Sequence, residues 1–594
     1  MVKLKIHSQH YERMLRLVFL PAIVGVIAGL GGVCFAYALE AVQHYALAGV
    51  AGYIEEGAGG EHSPFGVPDA KELVPWLLLL LPTVGGLLSG YLIFRWCPEC
   101  AGHGTDNAID AYHNKGGQVR KRVPYLKALT AAITIGTGGS AGREGPIAQI
   151  GSGLGSTLAK WLGLSPQYRR VLLIAGMGAG VGSIFHAPMA GALFASEVLY
   201  REMELEAEVL VPATVASIVG YSVFTTIMGS SSLFVTSAAI SFDAAYELMP
   251  YTLLALVLAV GAFVYARFFY LVEGFFERMP GPPHLRPAVG GLLVGIMGFL
   301  GCQEAMAGGY GIVQKAIDGA ATWHFLLLMA GLKILSTCFT IGSGGSGGLF
   351  GPSIVIGGAL GGAVGLGLEQ VIPELMPSSP AAFAIVGMAG FFAAAAKTPF
   401  STVIMVSEMT GSYELLVPTL WVCVISFVLL RHTTIYARQP GNRLDSPAHL
   451  GEMLSGTLER IRVREAMGSI RQELVTLPRS MPLKKIMSLF AEHPQEAFPV
   501  VGRDGGFLGA IDNRALRACA GQTEYLDFLV AEDLAQQVPF VTPEDDLLRA
   551  TQLMAESQTD EILIVSDEDS RQIVGFLHQS QITASYARYS SVLG

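Results

Sequence analysis

Charged residues are scarce in this chain. Only 14% of its 594 residues are Asp, Glu, Lys or Arg, and 51% are hydrophobic, whereas roughly a quarter of the residues of soluble proteins are charged. The shortage is uneven, because residues 1–440 hold 50 of the 86 charged residues and residues 441–594 hold the other 36. This composition excludes an ordinary soluble protein. It predicts a membrane domain over 1–440 and a water-soluble domain over 441–594.

A surplus of basic residues is also lacking. The net charge is −10, with 24 basic and 26 acidic residues before position 441 and 14 and 22 after it. Without a basic excess there is no electrostatic attraction to nucleic acid, and we expect no nucleic-acid partner. The seven cysteines are scattered and form no secreted disulfide framework. The sequence contains no nucleophile–base constellation or phosphate-binding loop, so we do not expect an enzyme.

Long apolar runs are abundant. The run 17–39 follows a basic arm with Lys3, Lys5, Arg13 and Arg16, and it is long enough to cross about 30 Å of hydrocarbon. Cytoplasmic loops are rich in Lys and Arg, so this arm and the basic loop at 115–127 are expected in the cytoplasm, as is the soluble tail. We expect a multi-pass plasma-membrane protein with both termini cytoplasmic. Further runs lie at about 74–95, 123–141, 170–199, 208–228, 246–272, 286–302, 323–341, 352–372, 380–408 and 413–430.

The membrane part contains an internal repeat. Eleven of twenty positions are identical between Gly136–Gly155 and Gly342–Gly361. Gly176–Glu197 and Gly387–Glu408 share a glycine, a proline and a glutamate at the same relative positions. The paired stretches are collinear, 206 and 211 residues apart. They predict a duplicated bundle, with repeats at about 15–228 and 246–430, whose broken helices meet near mid-membrane.

Each repeat carries a glycine-rich turn followed by proline, Gly142–Pro146 and Gly348–Pro352. Such a turn suits the start of a helix, where free N–H groups and the positive end of the helix dipole bind anions. The alternative is that the glycines serve only close helix packing, which does not account for Arg143 and Glu144. A carboxylate at membrane depth is costly. Glu144 either pairs with Arg143 or occupies the anion site, where it would be both gate and proton carrier.

These motifs resemble those of the CLC family of chloride channels and proton-coupled chloride antiporters, over residues 15–440 and the tail. The resemblance implies an all-α membrane fold with an inverted repeat and broken helices, and a homodimer with one pore per subunit. It makes Glu144 the gate, and it implies chloride or a related small anion, with protons, as the transported species. The anion-binding residues it implies are His103, Gly104, Arg143, Glu144, Gly145, Leu349, Phe350, Gly351 and Tyr436.

The chain departs from the family pattern at two positions that bear on function. His103 stands where the family has a serine that contacts the anion, so the anion preference does not transfer directly. Val198 stands where antiporters carry an inner glutamate, which favours a channel gated by Glu144 and modulated by pH. Glu197 and Glu202 are the candidates for a proton pathway if the protein is instead a proton-coupled antiporter. A membrane-bound sensor acting through the tail is the alternative of another class.

Two cysteines precede His103. Cys97 and Cys100 form a C-x-x-C pair. Together with His103 and His113, these cysteines have a spacing that is compatible with zinc binding. Alternatively, the pair is redox-active. The simpler interpretation is two half-buried thiols at a helix end. No second C-x-x-C is present, and we expect no metal.

The tail is typical of a soluble α/β domain. Strand–helix–strand–strand patterns at about 463–518 and 533–590 resemble a pair of CBS domains. Such pairs often bind adenine nucleotides, and the matching stretches here run from Gly509 to Ala515 and from Gly575 to Gln581. Neither stretch has both polar residues of the family's ribose-binding signature. We therefore expect a structural role and no cofactor, with adenine nucleotide as the one ligand left open.

Overall fold

The computed structural model describes residues 14–593 except 62, 67, 69–70, 237–239, 241, 243, 374–378, 450–455, 468–473, 494, 496, 513–514, 517–527, 568 and 570. The basic residues Lys3, Lys5 and Arg13 lie outside the described residues. The chain divides into two compact units, Met1–Ala448 and His449–Gly594.

The N-terminal unit is helical. Among its described residues, six helices are long and apolar enough to cross a membrane: Leu15–Ala51, Pro75–Trp96, Ala207–Met228, Ala245–Arg278, Trp323–Gly342 and Phe350–Val371. Short 3₁₀ turns lie at Pro98–Cys100, Ala245–Glu247, Pro283–Leu285, Gln303–Ala305 and Pro447–His449. The helices are α1 (Leu15–Ala51), α2 (Pro75–Trp96), α3 (Thr105–His113), α4 (Val123–Gly136), α5 (Glu144–Trp161), α6 (Pro166–Ile184), α7 (Pro188–Glu197), α8 (Ala207–Met228), α9 (Leu248–Arg278), α10 (Arg286–Phe299), α11 (Tyr310–Ile317), α12 (Trp323–Gly342), α13 (Phe350–Val371), α14 (Pro380–Ala396), α15 (Pro399–Thr410) and α16 (Leu416–Leu429).

Two of the apolar runs are each broken into two helices, which confirms the broken helices expected of the repeats. The run 170–199 divides between α6 and α7, and the run 380–408 divides between α14 and α15. Both breaks contain a non-glycine residue with left-handed backbone, His186 at φ 57° and Lys397 at φ 66°. Pro188 and Pro399 then begin the new helices, because proline fits the first helical turn but cannot continue a preceding helix.

The two repeats meet at equivalent residues. Gly142 donates its N–H to the Gly348 carbonyl at 2.8 Å, and Gly348 donates to the Gly142 carbonyl at 2.6 Å. These positions are 206 residues apart, the spacing of the glycine-rich stretches. An exchange of identical bonds between equivalent residues is what a local two-fold axis produces.

Glycines also allow the closest helix crossings. A Cβ on Gly151 of α5 would lie 2.0 Å from the carbonyl oxygen of Gly176 on α6. The equivalent crossing in the second repeat joins Gly357 of α13 to Gly387 of α14, where the corresponding distance is 2.4 Å. Close packing therefore accounts for part of the glycine excess, and the loops considered below account for another part.

The C-terminal unit contains two small mixed sheets. In each, a short first strand pairs in parallel with the second, and the second pairs antiparallel with the third. Each sheet therefore repeats the strand–helix–strand–strand order expected of a CBS domain. The elements are α17 (Val463–Met467), β1 (Leu477–Pro478), α18 (Leu483–Glu492), β2 (Ala497–Val501), β3 (Phe507–Asp512), α19 (Ala531–Leu534), β4 (Phe540–Val541), α20 (Leu547–Ser557), β5 (Glu561–Val565), β6 (Ile573–His578) and α21 (Gln579–Leu593).

Candidate anion site

Three loops meet inside the N-terminal unit, and each leads into the N-terminus of a helix. The loop before α3 pairs with the loop before α13, since Gly102 donates to the Gly345 carbonyl at 3.1 Å. The loop before α5 joins them through the Gly142–Gly348 pair. Three helix starts, with their free N–H groups, thus lie around one buried region.

Glu144 lies at the centre of this region. Its side chain is buried, and its Oε2 accepts a hydrogen bond from the backbone N–H of Gly351 at 3.1 Å. Its Oε1 accepts from the hydroxyl of Tyr310. The carboxylate therefore occupies the N-terminus of α13, where the amide and the helix dipole favour negative charge. Tyr310 was not predicted from the sequence.

Arg143 pairs with a different carboxylate. Its guanidinium forms an ion pair with Glu61 and lies 5.6 Å from the centre of the Tyr310 ring. Arg143 therefore pairs with Glu61, and Glu144 is bound by the Gly351 amide of α13. This arrangement does not support a structural Arg143–Glu144 pair. Both residues of the Arg143–Glu61 pair line a cavity of about 190 Å³ beside Tyr310.

His103 and Tyr436 face each other across the same region. Their ring centres are 5.3 Å apart, and both side chains are buried. The Nε2 of His103 lies 3.4 Å from Asp106, and its buried Nδ1 has no hydrogen-bond partner among the described residues. Asp106 also accepts the N–H groups of Ala437 and Arg438 at 3.1 Å each, which ties the Tyr436 segment to this loop.

The remaining predicted site residues pack the loops together. Gly104, with φ 84°, is the N-cap of α3. A Cβ on Gly145 would lie 2.0 Å from the carbonyl oxygen of His103, so this contact requires glycine. Leu349 is the buried N-cap of α13, and the ring of Phe350 packs 4.0 Å from that of Phe392, between centres. The predicted anion-binding residues are thus brought together, with the Arg143 side chain directed to Glu61.

The sequence profile of the voltage gated chloride channel family matches residues 85–431. The chain belongs to this family. The resemblance to CLC proteins is confirmed, and CLC-type anion transport is the class of function of this membrane protein. The CBS domain profile matches 463–519 and 530–588, which confirms the CBS pair.

Two curated relatives are similar to about two thirds of this chain. A ClcB-like protein of Ralstonia nicotianae is 29% identical over 394 residues, which are 65% of this chain and 90% of the relative. The H(+)/Cl(−) exchange transporter ClcA of Yersinia pseudotuberculosis is 27% identical over 412 residues, which are 69% of this chain and 83% of the relative.

Solved CLC structures share the fold. A slow cyanobacterial Cl⁻/H⁺ antiporter aligns with a TM-score of 0.61 at 24% identity, covering 70% of this chain and 94% of its own. A CLC-type fluoride/proton antiporter aligns with a TM-score of 0.61 at 22% identity, and the alignment covers 72% of this chain and 99% of the antiporter chain. A eukaryotic CLC transporter aligns over 96% of this chain and 98% of its own, with a TM-score of 0.54 at 19% identity.

Two buried lysines border the site of this CLC protein. Lys127, which the sequence places in the basic cytoplasmic loop, is instead fully buried in α4, and Lys333 was not predicted. Lys127 on α4 donates to the carbonyls of Cys100 and Gly102 at 3.1 and 2.7 Å. Lys333 on α12 donates to the carbonyl of Ala307 at 2.8 Å. The lysines are 206 residues apart, so the repeat spacing was the signal that pairs them. Each side-chain nitrogen holds the loop next to it by hydrogen bonds to backbone carbonyls near the anion region.

Glu197 and Glu408, at equivalent positions of the two repeats, bind helix N-termini. The carboxylate of Glu197 accepts the N–H groups of Phe400 and Ser401 at the start of α15, at 3.0 and 2.8 Å, and the Ser401 hydroxyl at 2.6 Å. Glu408 accepts the N–H groups of Met189 and Ala190 at the start of α7, at 3.2 and 2.9 Å. Both oxygens of Glu197 are thereby engaged in holding α15.

The other proton-pathway positions differ in exposure. Val198, directly after Glu197, is fully buried. Glu202 is about half exposed and lies 3.4 Å from Arg431. Of these residues, Glu202 is the carboxylate that solvent can reach.

The C-x-x-C pair lies just before the His103 loop. Cys97 and Cys100 are both buried, and their Sγ atoms lie 3.6 Å from Glu99 Oε2 and 3.8 Å from the Val123 carbonyl. His113 is directed elsewhere, to Ser446 and the Leu199 carbonyl. In the part of the chain that the structure describes, no three His, Cys, Asp or Glu residues are grouped so that they could hold a metal ion.

The C-terminal unit has a cavity of about 340 Å³. Asp512, from the first nucleotide-signature stretch, lines it together with Glu561. The other polar positions of that stretch, Asn513 and Arg514, lie outside the described residues. The expectation of no cofactor, with adenine nucleotide as the one ligand left open, stays a prediction.

Proposed function

We propose that this CLC protein is a proton-coupled anion antiporter in which Glu144 and the transported anion compete for one binding position. The observation that carries the proposal is the hydrogen bond from the Gly351 N–H to the Glu144 carboxylate. That amide lies in the first turn of α13, and the N-terminus of a helix is a binding position for a small anion. Relatives named H(+)/Cl(−) exchange transporters, and similar structures described as antiporters, support exchange over a passive channel.

The proposed cycle follows from charge. While Glu144 is ionised, it neutralises the start of α13 and excludes an anion of similar size. When Glu144 takes up a proton it loses its charge, and its hydrogen bond to the Gly351 N–H weakens. Chloride or a related small anion then occupies the vacated amides, and the His103 Nδ1 is available to donate to it. Return of the carboxylate requires that both the proton and the anion leave, which couples their movements.

Protons from the inner side need a carrier other than an inner glutamate. Val198 has no titratable group, and Glu197 is engaged with α15. We assign this role to Glu202, because its carboxylate is half exposed and lies in the segment that follows α7. A Glu202→Gln substitution is then expected to reduce proton movement more than anion movement.

A passive anion channel is the second candidate, and one observation favours it. The buried Val198 leaves the position after Glu197 apolar, so protons have no carrier there. In that case Glu144 opens and closes the anion pathway, but no fixed number of protons crosses the membrane with each anion.

Transport by vesicles containing the purified protein distinguishes the two functions. An outward chloride gradient is imposed, and both chloride efflux and proton movement are recorded. If the protein is an exchanger, chloride efflux should drive protons against their gradient. In Glu144→Gln this proton movement should be lost, while anion flux should persist and become insensitive to pH. Glu369→Gln, at the exposed end of α13, is the matched control and should behave as wild type. Anion flux without uphill proton movement in the wild type would establish the channel.

The assembly and placement belong to the same proposal. We propose a homodimer with one anion site in each subunit, in the plasma membrane, with both termini cytoplasmic. The basic residues Lys115, Arg120, Lys121 and Arg122 of the loop before α4 support this orientation.

A further inference from the structure

A second basic region lies apart from the anion site, in a cavity of about 320 Å³ between the 115–123 loop and the C-terminal half of α5. Five basic residues and one acidic residue line it. The basic residues are Lys115, Arg120, Lys121, Lys160 and Arg169.

Two of these cations already have carboxylate partners. Lys115 lies 2.6 Å from Asp110, and Arg120 pairs with Glu99. Among the described residues, no carboxylate pairs with Lys121, Lys160 or Arg169. The cavity therefore keeps an excess of positive charge that its own walls do not neutralise.

Buried polar atoms of α5 complete the wall. Ser152 is fully buried and Gln149 is 3% exposed, and neither the Ser152 Oγ nor the Gln149 Oε1 has a hydrogen-bond partner among the described residues. The Ser152 hydroxyl can donate to an anionic occupant, whereas the Gln149 Oε1 only accepts and its Nε2 already donates to the Glu99 carbonyl at 2.8 Å. With Ser156 and Lys160 they follow a spacing of three or four residues, which places all four on one face of α5.

Aromatic residues indicate where the cavity lies relative to the membrane surface. Trp161 and Tyr125 are 69% and 71% exposed, and the ammonium of Lys121 lies 5.7 Å from the Trp161 ring centre. Exposed Trp and Tyr collect where lipid headgroups meet water. The cavity thus lies where both a headgroup and a soluble anion can reach it.

We propose that this cavity binds a terminal phosphate group with two negative charges. Lys121, Lys160 and Arg169 supply the charge, and the Ser152 hydroxyl donates to a phosphate oxygen. Such a group is the end of a lipid headgroup or part of a soluble polyphosphate, and the two sources share this chemistry.

The test uses the purified full-length protein and two probes. Inorganic pyrophosphate is titrated by calorimetry, and phosphatidic acid is added in mixed micelles and counted on the protein by native mass spectrometry. Phosphatidylserine, with its phosphate in a diester, is the lipid control. We expect saturable binding of one probe molecule per chain, in preference to phosphatidylserine and weakened by salt. Binding of phosphatidic acid alone identifies a lipid site, and binding of pyrophosphate identifies a soluble ligand.

Variants locate the binding. Lys121→Ala combined with Lys160→Ala should weaken it about tenfold or more, because charge-assisted hydrogen bonds to phosphate are lost. Ser152→Ala, which removes one hydroxyl, should weaken it by a smaller factor. Arg278→Ala removes one exposed positive charge that does not line the cavity and should leave binding unchanged. Saturable binding of neither probe, or equal weakening by Arg278→Ala and the double variant, would overturn the proposal.

Discussion

Glu197 and Glu408 each cap the helix that bears the other. Glu197 ends α7 and binds the first amides of α15, while Glu408, near the end of α15, binds the first amides of α7. The carboxylates are buried or partly buried, and each fills backbone donors that would otherwise have no acceptor. Glu197 is therefore engaged at the interface of the repeats, and we expect it to take no part in proton transfer.

The first prediction concerns this interface. Glu197→Ala should lower the free energy of unfolding by about 3 kcal/mol, because the amides of α15 lose a charged acceptor inside the protein. Glu408→Ala should cost less, since Glu408 is more exposed and accepts two hydrogen bonds rather than three. Thermal unfolding in detergent measures both. In Glu197→Gln the ratio of protons to anions should equal that of the wild type, and a changed ratio would return Glu197 to the proton pathway.

Tyr310 should hold the gate closed. Its hydroxyl donates to Glu144, and a hydrogen bond to a charged group contributes about 1.5–3 kcal/mol. Tyr310→Phe should therefore raise anion flux at neutral pH about tenfold or more, because the ionised carboxylate leaves α13 more readily. Flux from vesicles provides the measurement, with Tyr246→Phe at an exposed position as the control. Flux equal to wild type would show that the Gly351 amide alone retains the carboxylate.

His103 should influence which anion binds. Its Nδ1 is buried beside Tyr436 without a partner among the described residues, and a ring nitrogen that bears a proton can donate a hydrogen bond to an anion. His103→Ser should change the preference between chloride and nitrate severalfold. Calorimetric titration with each anion tests this. His324→Ser, at the exposed start of α12, should leave the preference as it is.

Glu55 should make stability depend on pH near neutrality. Burial raises the pKa of Glu55 to about 7, and its oxygens accept from the Gly309 N–H and the Gln43 amide at 2.8 and 2.7 Å. A carboxyl with a raised pKa takes up a proton on folding, so stability falls as pH rises from about 4 to about 7. Glu55→Gln should flatten that slope in thermal unfolding. An unchanged slope would assign it to another group.

The sequence predicted the parts of the site that a local motif encodes. The two glycine–proline turns, Glu144 and the repeat spacing all follow from short stretches. Tyr310 contacts Glu144 across 166 residues, and no motif marks it. Lys127 was assigned to the basic loop and Lys333 was not recognised, because one charge in an apolar run does not reveal its partner. The signal that relates them is the repeat spacing of 206 residues. The repeats predicted broken helices, but the left-handed residues His186 and Lys397 at the breaks inside 170–199 and 380–408 were not predicted, because hydropathy does not register backbone conformation.

The bonds between Gly142 and Gly348 carry a consequence for the origin of this fold. Two copies of a half-length chain would make the same pair of hydrogen bonds with each other as the two halves of this chain do. The halves of this chain nevertheless differ at the site. Position 144 is a glutamate, while its counterpart 206 residues later is Phe350. One half supplies the carboxylate, and the other supplies the Gly351 amide that binds it.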